Sequence, residues 1–142
     1  MIDLDRARQI LESGDYTCVL CKNGVVHTST MPGVAPMLEF IAAGTDLQGF
    51  SAADKIVGKA AAMLFLFAGV RSVYAGVMSE DAVKVFQRHG ISSSYGELVP
   101  AIMNRMGAGP CPMEQTVKEI DDPAEALAAI KHKLETLRSV RV

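Results

Sequence analysis

Asp54, Lys55 and Lys59 crowd the head of the stretch SAADKIVGKAAAMLFLFAGV, residues 51–70, before it turns almost wholly apolar. An aspartate and two lysines around a glycine could cradle a phosphate, move a proton or simply begin a buried helix. The phosphate-loop reading comes from Ala53-x4-Gly58-Lys59, which nearly matches the looser form of that motif. It fails chemically, because Ala60 stands where a hydroxyl must hold Mg²⁺ and no apolar strand is expected to run directly into the loop. Read instead as one long helix over 51–70, the segment puts Lys55 and Lys59 on one face, four residues apart, with Asp54 and Gly58 likewise aligned. Gly58 and the alanines after it would then let a backbone or a ligand approach closely.

The second chemical stretch is GAGPCPMEQ, with Asn104-Arg105 just before it. Prolines on both sides of Cys111 stiffen the backbone. Pro112 suits the first position of a helix, with Cys111 at its cap. A cysteine so placed near Arg105 is a candidate nucleophile, with Lys59 or Glu114 moving protons. The same residues also suit a rigid turn and nothing more.

Cys18-x-x-Cys21 has the spacing of a redox or zinc pair, yet it falls in a predicted strand. Residues three apart on a strand point to opposite faces, so the two thiols cannot close on one metal without a bulge. No second pair exists, and His27, His89 and His132 are far apart in sequence. Both cysteines therefore read as small buried hydrophobes, and no metal or cofactor is expected.

These groups must be positioned by regular elements, and the pattern alternates helix and strand. Asp3 can cap a first helix whose Leu4, Ala7, Ile10 and Leu11 share a face, with Gly14 at its end. YTCVLCKNGVVHTST reads as a hairpin turning at Asn23-Gly24, the pair that tolerates a type I′ turn. A short helix stops near Gly44, and the helix over 51–70 follows. RSVYAGVM is a strand. In SEDAVKVFQRHG, Ser79 caps a helix, Glu80 and Asp81 suit its positive end, Arg88 and His89 its negative end, and Gly90 its stop. ISSSYGELV holds a short strand. Asp122-Pro123-Ala124-Glu125 opens a last helix lined by Leu127, Ile130, Leu134 and Leu137.

This order predicts a single α/β domain over 1–142, three layers α-β-α around a mixed sheet with an N-terminal β-hairpin. Sites in such sheets form where strands hand over to helices. The 142 residues carry 14 Lys and Arg against 16 Asp and Glu, a net charge of −2. That balance offers no field to gather nucleic acid or a membrane surface. Residues 60–70 are about half of the ~20 apolar residues a membrane span needs. Residues 1–13 are charged throughout and read as no secretory leader. Three cysteines, an odd number, then fit a cytoplasmic protein.

With ADKIVGKAAA and NRMGAGPCPME set in this order of elements, the chain resembles a small uncharacterised prokaryotic family assigned to the cytidine deaminase-like fold. In zinc deaminases, a His/Cys-x-Glu opens one core helix and Pro-Cys-x-x-Cys opens the next. At the matching openings this chain has Ser51-Ala52-Ala53-Asp54 and Val77-Met78-Ser79-Glu80-Asp81-Ala82. Neither supplies a histidine or cysteine, and Asp54 alone cannot make hydroxide at neutral pH. The resemblance thus implies where a cleft lies and not zinc hydrolysis. The expected partner is a small anionic or nucleoside-like molecule, met by Asp54, Lys55, Lys59, Ser79, Asn104 and Arg105. The alternatives are a zinc-independent enzyme using Cys111 and Glu114, and a non-catalytic module, a homodimer being possible.

Overall fold

A computed structural model of the chain describes residues 2–103, 109 and 111–140. Its elements run α1 (Asp3–Ser13), β1 (Cys18–Lys22), β2 (Val25–Ser29), α2 (Ala35–Ala42), β3 (Ser51–Val57), α3 (Lys59–Ala68), β4 (Ser72–Ser79), α4 (Glu80–Arg88), β5 (Ser92–Val99), α5 (Pro112–Val117) and α6 (Pro123–Val140). The strands form one mixed sheet in the order β2-β1-β3-β4-β5. β1 is antiparallel to both β2 and β3, while β3, β4 and β5 are parallel. This is the expected α/β architecture with its N-terminal hairpin.

Much of the local punctuation acts as its residue types dictate. Asn23 and Gly24 both take positive φ, 49° and 85°, which a type I′ turn requires. The Ser79 hydroxyl accepts from the Ala82 N–H at 3.1 Å and caps α4. Asp122 accepts from the Glu125 N–H at 2.9 Å and caps α6. At α1 the roles shift by one residue. Ile2 is the cap, and Asp3, inside the first turn, accepts instead from the Asn23 N–H of the hairpin.

The largest departure is at residues 51–70, which are not one helix. Ser51–Val57 is the central strand β3, and only Lys59–Ala68 is helical. Ala52, Ala53 and Asp54 are poor strand formers, but β3 is hydrogen-bonded on both sides, by β1 and by β4. Pairing and double-sided burial override propensity here. Small side chains suit that place, because α1 lies over one face and α3 over the other.

Cys18 and Cys21 do point to opposite faces. Cys18 joins the large core under α2–α6, whereas Cys21 joins the smaller one beneath α1, with Ala7, Leu11, Val19, Ala53 and Tyr74. Helix α3 is buried at every residue from Lys59 to Phe65. Its alanine run, Ala60 to Ala62, lets the sheet and α6 close on it from both sides.

One row of the sheet is unusual. Asp54 pairs with Ala75 and Ile56 with Val77, but no register pair joins Lys55 to Gly76; Gly96 of β5 is skipped in the same row. Core-facing positions shift there too, from Ala52 to Val57 on β3 and from Ala75 to Met78 on β4. A Cβ on Gly76 would lie 2.9 Å from the Lys55 carbonyl oxygen, and one on Gly96 would lie 3.0 Å from the Gly76 oxygen. Glycine at Gly76 is required for β3 and β4 to approach so closely, and at Gly96 a side chain would be tight against the Gly76 carbonyl.

Candidate functional site

Strand β3 delivers the chain straight into α3 through Gly58, so a strand does precede the would-be phosphate loop. No loop exists, however, because Ala53–Val57 are strand residues. Phosphate-loop chemistry is excluded on that geometry as well as by Ala60.

The head of α3 is occupied from within the protein. Glu114, in the first turn of α5, accepts from the Lys59 N–H at 2.6 Å through Oε1 and from the Ala60 N–H at 2.8 Å through Oε2. A helix start leaves such donors without intrahelical partners, and a carboxylate also suits the positive dipole end. Burial pushes the Glu114 carboxyl up, the two N–H groups hold it down, nearby Asp81 pushes it up and Lys59 lowers it. Gly58 makes the seat. Any Cβ there would strike the Glu114 carboxylate and come 2.8 Å from Ile102 Cγ1.

Lys59 returns the contact. Its backbone holds the start of α5, and its ammonium donates at 2.9 Å to the carbonyl of Lys118, the residue capping the end of α5. The same Nζ lies 3.8 Å from Asp121 Oδ1, and Arg88 Nη1 reaches that oxygen at 3.3 Å. At 9 % exposure, Lys59 is a structural clamp more than a free cation.

The predicted constellation is therefore divided. Lys59, Ser79, Cys111 and Glu114 belong to the ends of α3, α4 and α5. Asp54 and Lys55 do not belong to a helix head at all, nor do Lys55 and Lys59 share a helix face, since residues 54 and 55 lie within β3. Asp54 is buried opposite Cys18, and its Oδ1 accepts from the Ile56 N–H at 3.2 Å. Burial drives the Asp54 carboxyl up to about 7 and the Cys18 thiol well above its usual range. Lys55 is exposed.

Cys111 caps α5 as expected, with Pro112 at the first helical position. Its backbone N–H donates to the Ile102 carbonyl at 3.1 Å. Among the described residues, no hydrogen bond joins its thiol to Glu114 or Lys59. The Ser79 hydroxyl is committed to the α4 cap, as above. Asn104 and Arg105 lie outside the described residues.

Beside the clamp is a cleft of about 250 Å³, lined by Lys59, Asp81, Lys84, Arg88, Lys118 and Asp121 among others. Lys59, Arg88 and Asp121 are engaged with one another or with backbone. Lys84 and Lys118 form no ion pair with a described residue and open into the same space. Neither stood out in the sequence, because a lysine on the outer face of an amphipathic helix is ordinary. Among the described residues, no group of three or more His, Cys, Asp and Glu side chains could hold a metal ion.

The fold and this site define an α/β domain whose two central helices, α3 and α4, open without His or Cys: at Gly58-Lys59-Ala60 and at Ser79-Glu80-Asp81. Residues 6–134 match TM1506, the domain of unknown function DUF1893, and the chain belongs to that family. A crystal structure of a DUF1893 family protein (TM1506) from Thermotoga maritima is similar, with 32% identity, a TM-score of 0.84, and coverage of 92% of this chain and 89% of that one. A diaminohydroxyphosphoribosylaminopyrimidine deaminase/5-amino-6-(5-phosphoribosylamino)uracil reductase from Thermotoga maritima shows a weaker likeness. Its identity is 20% and its TM-score 0.43, over 66% of this chain and 35% of that one. No curated protein matches the chain.

Proposed function

We propose that this protein binds a small anionic or nucleotide-like molecule, without zinc, in the cleft between the heads of α3 and α4 and the end of α5. One observation carries the reading: Lys84 and Lys118, on different helices, face one cleft with no carboxylate partner within ion-pair distance among the described residues. An anion seated in that cleft would be attracted by both ammonium groups. Asp81 and Glu119 also line the cleft and suit a ligand that bears hydrogen-bond donors beside its negative group.

Volume bounds the ligand. About 250 Å³ lies just below the ~300–1,000 Å³ of ordinary small-molecule pockets, so the site fits a small metabolite or the phosphate end of a nucleotide. The α3 head does not serve as the anion seat, since Glu114 fills it. Cys111 has no base in hydrogen-bond contact among the described residues, which leaves binding the better-supported reading than nucleophilic catalysis.

Thermal melts with inorganic phosphate, nucleosides and nucleoside monophosphates test this. Stabilisation by the monophosphates and not by the nucleosides is expected, because a ligand bound only by the folded state raises its stability by mass action. No shift with any of them, or stoichiometric zinc in protein purified without chelators, overturns the proposal.

A further inference from the structure

The cleft beside α3 already contains an anion of the protein's own. Asp121, in the segment between α5 and α6, sets its Oδ1 3.3 Å from Arg88 Nη1 and 3.8 Å from Lys59 Nζ. Its side chain is 75% exposed, and among the described residues no backbone N–H donates to it. Ion pairs so exposed hold weakly, because water solvates both charges. Arg88 is committed just as loosely. Its guanidinium offers a planar fork of donors, and among the described residues only Nη1 has an acceptor.

The charges lining the cleft are close to balance. Four cations, Lys59, Lys84, Arg88 and Lys118, face three carboxylates, of which Asp121 is one. Turning Asp121 out into water leaves four cations against two carboxylates. That excess matches a phosphate monoester, which carries about −1.5 to −2 at neutral pH.

We propose that Asp121 stands in for the ligand's phosphate in the free protein, and that the entering phosphate displaces it and takes Arg88 as a contact. The inference rests on the ligand reading above and adds Arg88 to Lys84 and Lys118. A phosphate succeeds a carboxylate here on charge and on geometry. Its terminal oxygens accept parallel bonds from the guanidinium fork, where Asp121 accepts through one oxygen. Lys59 does not follow, since its ammonium stays on the Lys118 carbonyl at 2.9 Å. Asp121 thereby tunes the affinity of the cleft as an internal competitor.

Calorimetric titration of a nucleoside monophosphate into wild type, Asp121→Asn, Arg88→Gln and the double variant tests this. All the changed side chains are exposed, and melts without ligand check that the fold is kept. Asp121→Asn is expected to tighten binding by about fivefold, the upper range for releasing an exposed ion pair. Arg88→Gln is expected to weaken it by about tenfold, and the gain from Asp121→Asn disappears in that background. Glu119→Gln is the control for charge alone, because Glu119 lines the cleft without an ion pair among the described residues. Binding by wild type that Asp121→Asn leaves unchanged or weakens overturns this inference and not the ligand reading. So does a gain that persists with Arg88→Gln or is equalled by Glu119→Gln. No binding by any of these proteins overturns both.

Discussion

No cation stands beside Asp54 among the described residues, so burial alone pushes its carboxyl up, to about 7. The unfolded chain releases that proton near the ordinary aspartate value of about 3.9. The folded state therefore holds the proton more tightly. Its contribution to stability is full below about pH 4 and is lost as pH rises through about 7. At ~1.36 kcal/mol for each pH unit between those two values, the loss is at most on the order of 4 kcal/mol. Asp54→Asn should flatten denaturation stability between these limits and raise it at pH 8. An unchanged pH profile would show that Asp54 is not the titrating group.

Glu114 and Gly58 form one seat, and the two can be separated by a double-mutant cycle. Glu114→Ala leaves the Lys59 and Ala60 N–H groups without their acceptor, at about 1–3 kcal/mol. Gly58→Ala removes the same contact by filling its space. The double variant should fall short of the summed losses by about 1 kcal/mol, since each change disables the other's partner. Additive losses in urea melts would mean that the seat is not shared.

At the scale of elements, the legible parts of the fold are those written in local chemistry. Asn23-Gly24 specifies the hairpin through positive φ, Ser79-Glu80-Asp81 opens α4, and Asp122-Pro123 opens α6, each within a few residues. β3 was hidden because Ser51-Ala52-Ala53-Asp54 has helix-like composition and becomes a strand only through its neighbours β1 and β4. The strand takes Asp54 and Lys55 out of the expected helix head and into the sheet, so that of those three residues only Lys59 stands at the head of α3. Glu114 was recognisable as chemical but not as a cap on α3, a contact between residues 55 positions apart. The glycine row was equally silent, since its meaning lies between strands. Gly76→Ala should cost about 1–3 kcal/mol, because the 2.9 Å contact is with backbone that cannot turn away. A Gly76→Ala variant as stable as wild type in chemical denaturation would remove the close-approach account.

For the whole molecule, the clamp between α3 and α5 holds the wall of a cleft whose cations come from three different helices or their ends: Lys59 from α3, Lys84 and Arg88 from α4, Lys118 at the end of α5. Folding thus gathers charges that are 25 or more residues apart between elements. Two of them, Lys84 and Lys118, have no carboxylate partner among the described residues. An anion seated among these cations would be held by charge, which is why the proposed binding should weaken as salt screens the site.

Calorimetric titration of a nucleoside monophosphate into wild type and into the Lys84→Ala/Lys118→Ala variant is the most direct measurement. Each lost charged hydrogen bond removes about 1.5–3 kcal/mol, so affinity should fall by at least tenfold in the variant while its melting temperature without ligand holds. Equal affinity in the two proteins would contradict the cleft as the binding site.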